Sequence, residues 1–153
     1  MRSEVTAPVA GLVVAMADVP DPVFSEEIVG PGVALMPEPG CGPMPVVAPV
    51  DGRLVKVHPH AFVLVAAGGV GVLVHLGLDT VTLDGRGFTV LVDEGVSVTR
   101  GQELIRWDPD SVRAAGLNPV VPVVVLDAQP SALTAYAVPG ASVTAGQLLL
   151  AVE

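Results

Sequence analysis

Two strings recur within this chain, and the recurrence restricts its fold more than any other feature. Ala7-Pro8-Val9-Ala10-Gly11-Leu12-Val13-Val14 returns as Ala48-Pro49-Val50-Asp51-Gly52-Arg53-Leu54-Val55. Gly95-Val96-Ser97-Val98-Thr99-Arg100-Gly101-Gln102-Glu103-Leu104 returns as Gly140-Ala141-Ser142-Val143-Thr144-Ala145-Gly146-Gln147-Leu148-Leu149. Self-similarity of this kind marks a duplicated unit. In each copy the glycines and the proline set turns at the ends of a short apolar run, because Pro presets φ and Gly takes positive φ without penalty. Two pseudo-symmetric half-barrels sharing one core are expected.

The amino-acid content agrees with strands. Apolar residues make up 51% of the chain but aromatics only 3%, so the core is built mainly from Val, Leu and Ala, and abundant Val favours β structure. The 17 glycines and 15 prolines lie between short apolar runs rather than in a tail, which is the punctuation of an all-β sandwich or barrel with many tight turns. At 153 residues the chain is long enough for a real core and short for two domains, so residues 1–153 are read as one domain. Helix is limited to a few short turns. Asp108-Pro109-Asp110-Ser111-Val112-Arg113-Ala114-Ala115-Gly116 has an acidic cap, a proline in the first turn and a closing glycine, which predicts one short helix. A turn or two of helix is expected from Ser131 to Ala137 and another around Ser25 to Ile28, while Pro37 to Pro45, full of breakers, reads as a loop.

Seven basic residues stand against sixteen acids, a net charge of −9. That balance argues against a nucleic-acid or anionic-membrane partner and favours a basic protein partner. The single cysteine, Cys41, excludes an internal disulfide and a multi-thiolate zinc site. No segment approaches 18 uninterrupted apolar residues and no charged stretch leading into an apolar run opens the chain, so a cytoplasmic protein with no membrane insertion is expected.

Two of the three histidines are singled out by context. His60-Ala61-Phe62 is followed, fifteen positions after His60, by His75 in Val74-His75-Leu76-Gly77-Leu78-Asp79-Thr80-Val81. Val70, Val72, Leu73 and Val74 place His75 near the end of a half-buried strand, and pairing with the strand that carries His60 brings the two rings face to face. A histidine pair of that kind can pass a phosphoryl group, bind a metal, or do neither. Neutral imidazole is nucleophilic near neutral pH and its phosphoramidate keeps a high transfer potential, which suits the first use. Donors from His60 and nearby backbone N–H groups would then stabilise the transferring group, and Gly77 lets backbone approach closely.

Further strings complete a pattern: Asp18-Val19-Pro20-Asp21-Pro22-Val23-Phe24, Ile28-Val29-Gly30-Pro31-Gly32, Ala48-Pro49-Val50-Asp51-Gly52 and Leu83-Asp84-Gly85-Arg86-Gly87-Phe88. With the two histidine strings, in order and spacing, the chain resembles over nearly its whole length the enzyme IIA component of the glucose family of the bacterial phosphoenolpyruvate-dependent sugar phosphotransferase system. The resemblance implies a β-sandwich of two related halves, the duplicated hybrid motif, and phosphoryl relay through a histidine. It implies that His75 is phosphorylated and that His60 holds and balances the charge of the phosphoryl group. The implied donor is the histidine-containing phosphocarrier protein and the implied acceptor a cysteine on the IIB domain of a sugar permease. Asp21 and Asp79 match acidic positions that meet a basic residue of the phosphocarrier, and Val23, Phe24 and Val81 match its apolar rim. No cofactor is required, although zinc bridging His60 and His75 with a partner's carboxylate is known in the family. The chain departs from the pattern at His58, where a threonine that orients the histidine by a hydrogen bond is usual, and at Leu73 and Leu76, where phenylalanine is common. His58 is read as lying at the surface or behind His60 rather than as a catalytic group.

Two other classes compete. His58, His60 and His75 give three imidazoles, the ligand number of an open zinc hydrolase site, but the His, three residues and Asp string of the zinc peptidases is absent. A biotinyl or lipoyl carrier needs a lysine on a hairpin tip, and the one lysine, Lys56, lies in the strand-like run Leu54-Val55-Lys56-Val57.

Overall fold

The computed structural model describes residues 2–153. Its strands are β1 (Ser3–Thr6), β2 (Gly11–Ala15), β3 (Gly32–Met36), β4 (Met44–Val47), β5 (Gly52–His58), β6 (Ala61–Val65) and β7 (Gly71–His75), then β8 (Phe88–Val90), β9 (Ser97–Val98), β10 (Glu103–Trp107), β11 (Val121–Val125), β12 (Leu133–Ala135), β13 (Ser142–Val143) and β14 (Leu148–Val152). The helices are α1 (Pro22–Ser25) and α2 (Pro109–Ala114), with single 3₁₀ turns at Met16–Asp18, Thr80–Leu83 and Pro130–Ala132. The protein is all-β with a few helical turns, as the valine-rich punctuation predicts.

The duplication orders the sheets. The largest runs β13-β2-β3-β11-β7-β6-β5-β9, and two smaller ones run β1-β14-β12 and β4-β10-β8. Set β1, β2, β3, β11, β12, β13 and β14 against β4, β5, β6, β7, β8, β9 and β10, and every strand has a counterpart with equivalent neighbours. The eight-strand order is a palindrome whose centre lies between β7 and β11. One copy is contiguous over residues 44–107 and is inserted into the other, which is split between 3–36 and 121–152.

Hydrogen bonds repeat with the strings. Thr6 N–H donates to Pro49 O at 2.9 Å and Val47 N–H to Pro8 O at 2.9 Å, so the halves are laced together reciprocally. Gly95 N–H donates to Leu54 O as Gly140 N–H does to Val13 O. Thr99 N–H donates to Gln102 Oε1 at 3.1 Å and Thr144 N–H to Gln147 Oε1 at 3.2 Å, which explains why glutamine recurs in both copies. A Cβ at Gly11 would lie 2.6 Å from Met36 O, and one at Gly52 would lie 2.5 Å from Val65 O. Gly11→Ala and Gly52→Ala are therefore expected to destabilise by similar amounts, about 1–3 kcal/mol each, in urea unfolding. A large effect at one and none at the other would contradict the equivalence of the two frames.

Strand alternation sorts side chains to two cores. Leu35, Leu54, Phe62, Leu64, Val74, Ile105, Trp107, Val123 and Leu149 are all nearly inaccessible and belong to one cluster fed by both copies. The intervening residues Ala34 and Val124 face the opposite side, where Met16, Val19, Phe24, Leu78 and Val120 cover them. Met16, Val19 and Phe24 of that cover come from the excursion between β2 and β3, while Leu78 follows β7 and Val120 precedes β11. The equivalent connection between β5 and β6 is only Pro59-His60. The site lies where the two copies differ.

Helix α2 starts at the Asp108 cap, whose carboxylate accepts from the Asp110 and Ser111 N–H groups, as its sequence predicts. The other two helical expectations need correction. Residues 131–137 form only the end of the Pro130–Ala132 turn before β12 pairs with β14, with Leu133 opposite Val152; the pairing overrides the local preference. The turn expected at Ser25 to Ile28 begins earlier, at Pro22, because Asp21 caps it by accepting from Val23 N–H at 3.0 Å. The loop after β3 is anchored by Asp110, whose two carboxylate oxygens accept from Gly40 and Gly42 N–H, and Cys41 between them is exposed.

Candidate functional site

His75 ends β7 opposite Ala61, and His60 occupies the turn that leads into β6. The turn is tight because His58 pairs with Ala61, leaving Pro59 and His60 as its two central residues, neither with positive φ. Leu76 N–H donates to His60 O at 2.7 Å and ties the two histidine backbones together. The rings lie 5.3 Å apart with an interplanar angle of 75°. The expected face-to-face arrangement is thus corrected to an edge-on one: His60 sits on the turn, while the strand residue directly across from His75 is Ala61.

Gly77 fixes the tautomer of His75. Its carbonyl is 2.5 Å from His75 Nδ1, and a carbonyl only accepts, so Nδ1 carries the proton and Nε2 keeps its lone pair. Gly77 can curl back in this way because its φ is +82° and it has no Cβ; one would lie 2.7 Å from Thr80 Cγ2 and 3.0 Å from Asn118 O. Its own N–H is taken by Val120 O at 3.0 Å. Gly77 therefore acts as an acceptor for the imidazole, and its N–H is not one of the free backbone donors expected near a transferred group. Thr80, which the sequence reading did not single out, is 1% exposed and donates Oγ1 to Leu76 O at 2.7 Å, closing the turn from below. A threonine five residues after a strand end is too common a pattern to have found it.

The flanking residues divide. Phe24 is buried and its ring lies 5.4 Å from His75, so it walls the imidazole from within instead of forming the outer rim. Val23 and Val81 are exposed, and Ile28, whose N–H returns to Val23 O, adds a third large apolar side chain that is 67% exposed. Asp21 caps α1, and Asp79 begins the Thr80–Leu83 turn in a left-handed conformation. Both act on the charge of His75. His58 is exposed and lies flat on His60, its ring 5.8 Å away at 26°. Stacked rings present faces rather than nitrogens to one another, and among the described residues no group of three His, Cys, Asp or Glu is placed to hold a metal. Lys56 lies within β5 and not on a hairpin tip.

Burial pushes the His75 imidazole below its ordinary 6.5, against the opposing pull of the Gly77 carbonyl and the charges of Asp21 and Asp79. Burial also lowers His60, with repulsion from His75 and then His58 adding to it. Both rings are held neutral, which keeps the nucleophilic lone pair available under mild acidity. The linkage has a definite sign. A histidine lowered on folding stabilises fully above 6.5, and that contribution disappears as pH falls through its folded value. Melting temperature is expected to drop between about pH 7.5 and about pH 5, and to drop less in His75→Asn. Identical profiles for the two proteins would exclude His75 as a source.

Comparison with known proteins places this arrangement. The family described as phosphoenolpyruvate-dependent sugar phosphotransferase system, EIIA 1, matches residues 3–131. Among solved structures, the glucose permease IIA from Mycoplasma capricolum is similar at a TM-score of 0.86 and 32% sequence identity, over 100% of this chain and 97% of that one. The likeness thus extends past residue 131 to the closing strands.

Proposed function

The chain belongs to the glucose-family EIIA components of the phosphoenolpyruvate-dependent sugar phosphotransferase system, and from that premise we propose that it is a phosphohistidine relay between two proteins. His75 Nε2 attacks phosphorus on the phosphohistidine of the histidine-containing phosphocarrier protein. The new Nε2–P bond forms as the donor's P–N bond breaks, and the Nδ1 proton stays against Gly77 O. A cysteine thiolate on the IIB domain of a sugar permease then attacks the same phosphorus, an S–P bond forms, and His75 leaves. The observation that carries this reading is the single fixed nucleophile: Nδ1 is committed to Gly77 O, so Nε2 of His75 is the atom left to react, with a second imidazole 5.3 Å away.

Such a transfer needs in-line alignment and charge stabilisation more than acid–base work. His60 supplies an N–H to the equatorial oxygens. The exposed Val23, Ile28 and Val81 make an apolar landing surface, and Asp21 and Asp79 give it a negative border suited to a basic partner. Among the described residues no helix is long and apolar enough to cross a membrane, in keeping with a protein that meets its permease from outside the bilayer, in the cytoplasm.

The proposed chemistry requires no cofactor. Zinc would be held by His75 and His60 only with further ligands from a partner, where it would join the two proteins and not take part in the transfer. Incubation with phosphoenolpyruvate, enzyme I and the phosphocarrier tests the relay. One phosphate is expected by intact mass, mapped to His75 under alkaline conditions. A folded protein that gains none would overturn the reading.

A further inference from the structure

His75 and His60 are held by different means. The plane and tautomer of His75 are fixed by the hydrogen bond from Nδ1 to Gly77 O. His60 is pinned through its backbone carbonyl, but its ring nitrogens make no hydrogen bond to the protein among the described residues. An imidazole that must aim an N–H at a phosphoryl oxygen needs a fixed plane. Two other rings lie beside that of His60: His75, edge-on with centroids 5.3 Å apart, and His58, stacked at 5.8 Å and 26°.

We propose that His58 is a positioning residue that sets the orientation of the His60 ring by face-to-face stacking. The geometry arises from the hairpin. Proline at position 59 locks the first central φ of the turn, and residues 58 and 60, on either side of it, project their rings together. Offset stacking at this separation restricts a ring without using either nitrogen, so both nitrogens of His60 stay free for the phosphoryl group and its donor or acceptor. His58 is exposed and makes no hydrogen bond to His60, so its contribution depends on a flat ring and not on hydrogen-bonding chemistry.

This inference rests on the relay reading above, and its test separates the two. Phosphate uptake from the phosphocarrier and onward transfer are measured for the native protein, His58→Ala and His58→Phe, together with the proton chemical shifts of the His60 ring. His58→Ala is expected to slow onward transfer to the IIB domain by roughly three- to tenfold through the maximal rate, with the KM for the IIB domain unchanged and loading from the phosphocarrier native, and to remove the ring-current shift on His60. His58→Phe is expected to restore both. Alanine as fast as native, phenylalanine as slow as alanine, or a His60 shift unaffected by alanine would each overturn the proposal. A native protein that takes no phosphate sinks the relay itself, and the His60 shifts in the three proteins still decide whether His58 orients the ring.

Discussion

His75→Ala is expected to take up no phosphate at all, whereas His60→Gln is expected to take it up on His75 and hold it, passing it on about a hundredfold more slowly or worse. The asymmetry follows from the two incoming nucleophiles. In the first step of the proposed relay the attacker would be the neutral Nε2 of His75, already set by the Gly77 carbonyl, and nothing about it depends on a proton at His60. In the second step of the proposed relay a thiolate would bring a further negative charge to a phosphoryl group on His75, whose imidazole already feels the charges of Asp21 and Asp79. The nearby group able to answer that charge is the imidazole of His60, 5.3 Å from His75. Glutamine keeps an N–H but cannot become cationic. Rapid-quench transfer to the IIB domain, with intact mass as a check on loading, measures both steps. Native onward rates in His60→Gln would remove His60 from the mechanism, and failure to load would move its role to the first step.

Gly77→Ala is expected to damage stability and chemistry together. Alanine at φ +82° carries the backbone penalty of the left-handed region, and its Cβ also meets Thr80 Cγ2 at 2.7 Å and Asn118 O at 3.0 Å. A loss of about 2–4 kcal/mol is expected, with slower phosphate uptake because the carbonyl that holds His75 Nδ1 must move. Gly69→Ala is the control: its φ is +87° but a Cβ there meets nothing within 4 Å. It should lose only the backbone part, about 1 kcal/mol, and load normally. Equal losses in the two variants would show that the crowding at Gly77 relaxes freely.

The duplicated frame was readable because each repeat contains backbone requirements: glycines where a Cβ would strike a carbonyl, and a glutamine that caps its own turn. The closeness of His75 and His60 was readable from their strings, and α2 from its cap and proline. The segment around Leu133 was not, because its strand exists only through pairing with Val152 at the far end of the chain, and a window of sequence contains no sign of that partner. Phe24 appeared as a rim residue because its string says nothing about direction; the Asp21 cap and Pro22 turn it inward onto His75. The edge-on ring geometry was hidden for a related reason, since it depends on His60 lying one residue before the strand rather than within it. The equivalent frame positions in the other copy are Pro31, whose carbonyl accepts from Val125 N–H as that of His60 accepts from Leu76 N–H, and Val124. One copy has the imidazoles and the other is sealed by apolar residues, so the symmetry of the backbone does not extend to the chemistry.

The insertion of one copy inside the other also sets an order of assembly. Apart from the β7–β11 seam, the strands of residues 44–107 pair with one another inside that segment, while β1 cannot pair until Ser3 reaches Val152, which closes a loop of almost the entire polypeptide. Loop closure of that length is entropically late and slow compared with local hairpins. The inner copy, which carries both histidines of the site, closes the shorter loops, and the joining of the two ends closes the longest.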